Sequence, residues 1–174
     1  HAPGIRTPLT CSLGAMLARM HIAGAEFPLQ QPNLRGLGWW AETVPVVLPF
    51  LKPAQRTLIE SELAFQQQVA ASAAHATLPR GAIHADLFRD NVMFDDSAPG
   101  DPLTGLFDFF FAGIDAFAFD IAVCLNDWCI DLESGRLDEA RAAALVAAYD
   151  LVRPLTSGER RLLPALMRAA ALRF

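Results

Sequence analysis

The chain has 174 residues, is 53% hydrophobic and carries a formal net charge of −5, which fits one globular domain or large lobe with its own core and excludes a disordered chain. An acidic balance argues against nucleic acid or an anionic membrane surface as the main partner. No apolar run approaches the roughly 20 residues needed to cross a bilayer.

In chain order, Leu13, Met16, Leu17 and Met20 recur at helical spacing and predict an amphipathic helix over residues 10–23 that stops at Gly24. Residues 26–52 are rich in proline and glycine and read as a long connection with short helical pieces. Pro53 opens a second predicted helix that runs to about Ala76, with Ile59, Leu63, Phe65, Val69 and Ala73 facing inward. Short strands follow at 81–84, at Val92 to Phe94 and at Leu106 to Phe109, the last two joined as a hairpin by "DDSAPGDPLTG". "FDIAVCLNDWCID", residues 119–131, is apolar nearly all round and predicts a buried helix. Residues 137–152 read as an amphipathic helix. Thr156 and Glu159 make a T-x-x-E capping box for a last helix, in which Pro164 is expected to cause a kink. The layout is a mostly helical lobe with a small hairpin in its middle.

Three cysteines, Cys11, Cys124 and Cys129, lack C-x-x-C spacing and are an odd number for a disulfide framework. They read as buried thiols in a reducing compartment, and "HAPGIRTPLTCSLGAM" lacks the basic-then-apolar design of a secretory signal. A cytoplasmic location is expected. The chain has thirteen arginines and a single lysine, Lys52, and no glycine-rich phosphate loop of either common form. If a nucleotide is used, part of its pocket lies outside these residues.

The polar stretch "IHADLFRDNVMFDD", residues 83–96, stands between two β-like runs of an otherwise apolar region. Asp86 and Asn91 have D-x-x-x-x-N spacing, and the hairpin returns Asp108 towards Asn91. One carboxylate to accept the proton of an attacking hydroxyl, with hard oxygen ligands for magnesium, is what phosphoryl transfer requires of a protein. The competing readings are an Asx-rich turn and a zinc site begun by His84. The second lacks a paired histidine among the four present.

"HADLFRDN" resembles the catalytic loop of the aminoglycoside phosphotransferase and choline kinase superfamily, and "LFDFFFAG" resembles its metal-binding strand end. "GAMLARMHIAG", "FPLQQPNLRGLGWW" and "FAFDIAVCLNDWCID" extend the similarity to the bacterial homoserine kinases of that superfamily over nearly the whole chain. The resemblance implies an α+β, protein-kinase-like fold. Residues 1–174 would be its mostly helical C-terminal lobe, carrying the small catalytic hairpin. The N-terminal β-rich lobe, with the glycine loop and ATP-binding lysine, would lie outside them.

The resemblance further implies ATP and Mg²⁺ as cofactors and a small-molecule acceptor, with Asp86 as the catalytic aspartate and Asn91 and Asp108 as magnesium ligands. His84 would hold the loop backbone and Asp120 would brace the loop from below. The loop departs from the commoner H-G-D form at Ala85. Arg89 is read either as neutralising phosphate charge or as pairing with Asp90. Asp127, on a buried helix, needs a cation: an arginine of this lobe or the ammonium of a substrate. Arg35, flanked by glycine in "NLRGLG", suits a substrate carboxylate. Trp39, Trp40 and Trp128 fit the core, Trp40 being also considered as a substrate contact. Homoserine is the expected acceptor. Choline, ethanolamine or an aminoglycoside are alternatives within the enzyme class, and a catalytically silent binding lobe is the alternative outside it.

Overall fold

The structure is a computed structural model that describes residues 7–28, 30–95 and 103–173. Among them, seven α-helices and six short strands follow in the order α1 (Thr7–Ala23), α2 (Leu37–Val47), α3 (Pro53–Ala70), α4 (Ala73–Ala76), β1 (Arg80–Ile83), β2 (Val92–Phe94), β3 (Leu103–Leu106), β4 (Gly113–Ala116), α5 (Phe117–Trp128), β5 (Ile130–Asp131), β6 (Arg136–Leu137), α6 (Glu139–Val152) and α7 (Ser157–Ala171).

The molecule is organised around α5, which buries every residue except Asn126 and Asp127, as a helix apolar on all sides must. On one side Ile121, Cys124 and Leu125 pack with Leu13 and Leu17 of α1 and Leu145 and Tyr149 of α6. On the other, Phe119, Ala122 and Val123 pack with Trp40, Ile83, Leu166 and Ala170. α1 and α6 approach so closely that a Cβ on Gly14 would lie 2.2 Å from the Leu145 carbonyl oxygen. No helix among the described residues is long and apolar enough to cross a membrane.

Several expectations shift. The connection over 26–52 contains an eleven-residue helix, α2, with Pro45 inside it. The helix begun at Pro53 ends at Ala70, and Ser72 starts α4 by accepting a hydrogen bond from the His75 N–H, which leaves Ala73 exposed. α7 runs unbroken through Pro164, and its capping box forms as expected. The third strand lies at 103–106 rather than 106–109. It pairs with β2, Val92 opposite Leu106, and the Phe107 N–H donates to the Asn91 carbonyl before the chain turns out of the ladder. Part of the expected hairpin turn, residues 96–102, lies outside the described residues.

β1 pairs not with that hairpin but with β4, in register from Arg80–Ala116 to Ile83–Gly113. This second antiparallel pair and the small β5–β6 hairpin are additions to the expected layout. The β1–β4 pair fixes where the polar loop leaves β1 and where α5 begins.

Candidate active site

The loop that follows β1 is set by its backbone. Asp120, in the first turn of α5 and fully buried, accepts the His84 N–H on Oδ2 and the Ala85 N–H on Oδ1, both at 2.8 Å. Burial alone would raise its pKa, but hydrogen bonds from His21 and the loop backbone hold it below the ordinary carboxylate value. Held this way, Ala85 sits at φ 61°, a left-handed conformation that costs a residue with a Cβ about 1–2 kcal/mol. Asp108 also has φ 61°, and these two are the only non-glycine residues at positive φ among those described. Strain of this kind collects where the surrounding structure over-determines a functional geometry.

His84 ties the loop to the hairpin. Its Nε2 is 2.9 Å from the Phe107 carbonyl and its Nδ1 is 3.3 Å from the Asp86 N–H. A carbonyl only accepts and an amide N–H only donates, so the ring proton is on Nε2 and Nδ1 is the acceptor. Both nitrogens are spent on backbone, and His84 is fully buried.

Further contacts come from one stripe of α5, at i, i+4, i+7 and i+8. Asp120 holds residues 84 and 85, Cys124 and Trp128 donate to the Leu87 carbonyl, and Asp127 accepts from the backbone N–H of Arg89. The Arg89 guanidinium closes on the same Asp127 carboxylate at 3.0–3.2 Å. Arg89 therefore pairs with Asp127 and not with Asp90, and of the two cations expected for Asp127 the structure supplies the arginine of this lobe.

Asp86, Asn91, Asp108, Arg35, Phe111 and Arg173 line one cavity of about 380 Å³, within the range of small-molecule sites. The Asn91 Nδ2 donates to the Asp86 carbonyl at 2.7 Å, which leaves its amide oxygen as the atom available to a cation. Asp108 follows β3 by two residues, caps the 3₁₀ turn of Phe109–Phe111, and is exposed. Asp86 Oδ1 accepts from Arg173 Nη2 at 2.8 Å. Burial raises the Asp86 pKa, opposed by the positive charge of Arg173.

The other expected site residues lie elsewhere. Asp127 lines a neighbouring cavity of about 590 Å³ that shares Phe88 and Asp90 with the first, so Arg35 and Asp127 do not share a pocket. Trp40 is buried at 5% exposure against Phe119 and lines a third cavity, on the α2–α5 side.

Two residues of the arrangement are additions to the expected set. Arg173, at the end of α7, is almost wholly buried and faces Asp86. His21 of α1 is fully buried, with Nε2 3.1 Å from Asp120 Oδ2 and Nδ1 2.7 Å from the Tyr149 hydroxyl. The signal for each was periodicity: His21 follows Leu13 and Leu17 at i+8 and i+4, and Arg173 follows Leu166, Ala169 and Ala170 on the same face.

A family model, that of the phosphotransferase enzyme family, matches residues 5–155. The chain is 63% identical to a homoserine kinase of Polaromonas naphthalenivorans over 175 residues, covering 100% of this chain and 54% of that protein. It is 53% identical to a homoserine kinase of Paraburkholderia xenovorans, covering 99% and 53%. It thus spans about half the length of the curated relatives it matches.

Among solved structures, amicoumacin kinase hAmiN in complex with AMP-PNP, Ca²⁺ and Ami superimposes with a TM-score of 0.67 at 18% identity, over 96% of this chain and 52% of that one. An aminoglycoside phosphotransferase from Alicyclobacillus acidocaldarius gives 0.65 at 20% identity, over 96% and 54%. These likenesses show the fold to be that of kinase-like phosphotransferases, and the family match carries the assignment: this chain belongs to the phosphotransferase enzyme family.

Proposed function

We propose that the complete protein is a cytoplasmic, ATP- and magnesium-dependent homoserine kinase, and that residues 1–174 are its C-terminal lobe. The convergence of Asp86, Asn91 and Asp108 on one cavity carries the reaction class, and the names of the curated relatives supply the acceptor.

In this reading Asp86 orients the acceptor hydroxyl and takes its proton as the oxygen bonds to the γ-phosphorus and the bond to the ADP oxygen breaks. The buried, hydrogen-bonded loop holds that carboxylate still while it does so. No cluster of three or more His, Cys, Asp or Glu among the described residues could cage a cation. What the cavity offers is the Asp108 carboxylate and the Asn91 amide oxygen, a fit to magnesium, which commonly takes one or two protein oxygens and completes its shell with phosphate and water. Bound there, the ion would neutralise charge on the phosphate oxygens.

The test is ADP release by the full-length protein with Mg-ATP against homoserine, choline, ethanolamine and an aminoglycoside. Homoserine is expected to be the best acceptor. Asp86→Ala should lower kcat by about 10²–10⁴-fold with little change in acceptor KM, and Asp108→Ala should abolish magnesium-dependent turnover. Preference for choline would replace the acceptor and keep the kinase; absence of turnover with every acceptor would leave a silent binding lobe.

A further inference from the structure

Two guanidinium groups stand over one aromatic ring beside Asp86. The Arg35 carbon Cζ lies 4.3 Å from the Trp39 ring centre and 5.1 Å from that of Phe111. The Arg173 Cζ lies 5.5 Å from Phe111 and 5.5 Å from Phe88. Arg35 comes from the loop before α2 and Arg173 from the end of α7, elements 138 positions apart in a chain of 174 residues, yet both line the cavity that holds Asp86.

The Arg35 guanidinium forms no ion pair or hydrogen bond among the described residues and is held by the two ring faces alone. Arg173, 3% exposed in its side chain, places Nη2 on Asp86 Oδ1. Both guanidinium groups line the cavity that holds Asp86, and a planar anion received there offsets their like charge at groups whose shape suits carboxylates. Asp86 Oδ2 makes no hydrogen bond among the described residues, so it is open to a hydroxyl on the same side.

We infer that Arg35 and Arg173 together form the subsite for the carboxylate of an amino-acid acceptor, and that Arg173, by also holding Asp86, sets the distance between bound carboxylate and attacking hydroxyl. This rests on the kinase reading and adds to it the residues that hold the acceptor's carboxylate and a residue that positions Asp86. In an extended four-carbon hydroxy amino acid the carboxylate carbon and the hydroxyl oxygen are about 5 Å apart by bond lengths. The cavity that Arg35, Arg173 and Asp86 all line is large enough to take both ends of such an acceptor, carboxylate to the arginines and hydroxyl to Oδ2. A phosphate group would suit the same forks, so the experiment separates the two sources.

The measurement uses the full-length protein with homoserine, homoserine amide and 3-aminopropan-1-ol as acceptors, and compares wild type with Arg35→Gln, Arg173→Gln and Arg173→Lys. Wild type is expected to favour homoserine over its amide in kcat/KM by about 10- to 150-fold, the worth of one charge-assisted hydrogen bond. Arg35→Gln should bring that preference close to one while leaving the ATP KM as it was. Arg173→Gln should also lose the preference and in addition lower kcat with all three acceptors, because Asp86 is no longer held. Arg173→Lys should recover part of the preference and less of kcat, since a lysine keeps the charge without the fork.

Arg35 is half-buried and outside the core, so its variant keeps the question answerable if Arg173→Gln fails to fold. If wild type phosphorylates homoserine but both arginine variants retain the preference over the amide, the subsite is wrong and the kinase reading stands. If the variants raise the ATP KM, or lower kcat equally for homoserine and its amide without altering the preference, the arginines serve the phosphoryl group and the inference is overturned. If wild type neither binds homoserine by calorimetry nor phosphorylates any of the three, both readings fall together.

Discussion

Replacing Asp120 with alanine should disable the site without touching it. The carboxylate is fully buried and accepts three hydrogen bonds: the His84 N–H and Ala85 N–H at 2.8 Å and His21 Nε2 at 3.1 Å. Alanine would strand two backbone donors in a dry interior at about 1–3 kcal/mol each and remove the partner of a buried histidine, for a total loss of about 3–5 kcal/mol. Asp120→Asn would be milder but not neutral. Whichever way the new amide turns, its NH₂ faces one of the two backbone N–H groups, and a donor–donor contact replaces a hydrogen bond, costing about 1–3 kcal/mol. Denaturant unfolding of the full-length protein gives the stability loss, and steady-state kinetics give the effect on the site. A loop shift of about 1 Å is expected to lower kcat by about 10²-fold with Asp86 still in the sequence. A loss below about 1 kcal/mol for Asp120→Ala, with kcat preserved, would refute the bracing role.

The same carboxylate gives a pH prediction. Its pKa in the fold lies below the ordinary value, about 3.9 in an unfolded chain, so its contribution is complete above that value and is lost as pH falls through the folded pKa. The stability gap between wild type and Asp120→Asn should therefore be constant over about pH 5–7 and narrow below about pH 4; a gap that widens in acid would reverse the assignment. Gly14→Ala should destabilise by about 2 kcal/mol or more, because the new Cβ meets the Leu145 carbonyl at 2.2 Å and a helix backbone must move; a neutral result in thermal melts would show that α1 and α6 are less tightly apposed. Burial pushes the Cys124 thiol well above its usual range and that of Cys129 up to about 11, so a thiol reagent at pH 8 should modify neither in the native protein. Mass spectrometry after brief labelling checks this, Cys11 being the half-buried exception.

The local parts of this architecture were legible in the sequence. The loop from His84 to Asn91 announces itself as a polar cluster between apolar runs. Thr156 and Glu159 form a box whose partners are three residues apart, and α5 shows its burial by being apolar on every face. What did not show was pairing at a distance. "GIDA" at 113–116 has nothing to mark it as the partner of "RGAI" at 80–83, because a four-residue strand carries too little pattern to name its neighbour. The hairpin placed Asp108 near Asn91 correctly, but not the left-handed turn that carries it. Asp127 reads as an acid on a buried helix in need of a cation, but Arg89, 38 positions away, reads as neutralising phosphate charge or pairing with the adjacent Asp90, and nothing local joins the two. Arg173 and His21 sit on apolar helix faces, where a polar residue requires a partner, and that rule gives the need without the identity of what meets it.

The groups that hold the Asp86 loop lie far downstream of it in the chain. The brace on the Ala85 N–H comes from Asp120, 35 residues later, and the ion pair on Oδ1 from Arg173, 87 residues later. At a synthesis rate of roughly 5–20 residues per second, Asp120 is made about 2–7 s after the loop and Arg173 about 4–17 s after. A chain ending between the two would lack both the arginine on Asp86 and the Leu166, Ala169 and Ala170 side chains that close one side of α5. α7 thus does two jobs with one segment: it closes the second side of the α5 core and brings the arginine that holds Asp86, so the last helix to be made completes both.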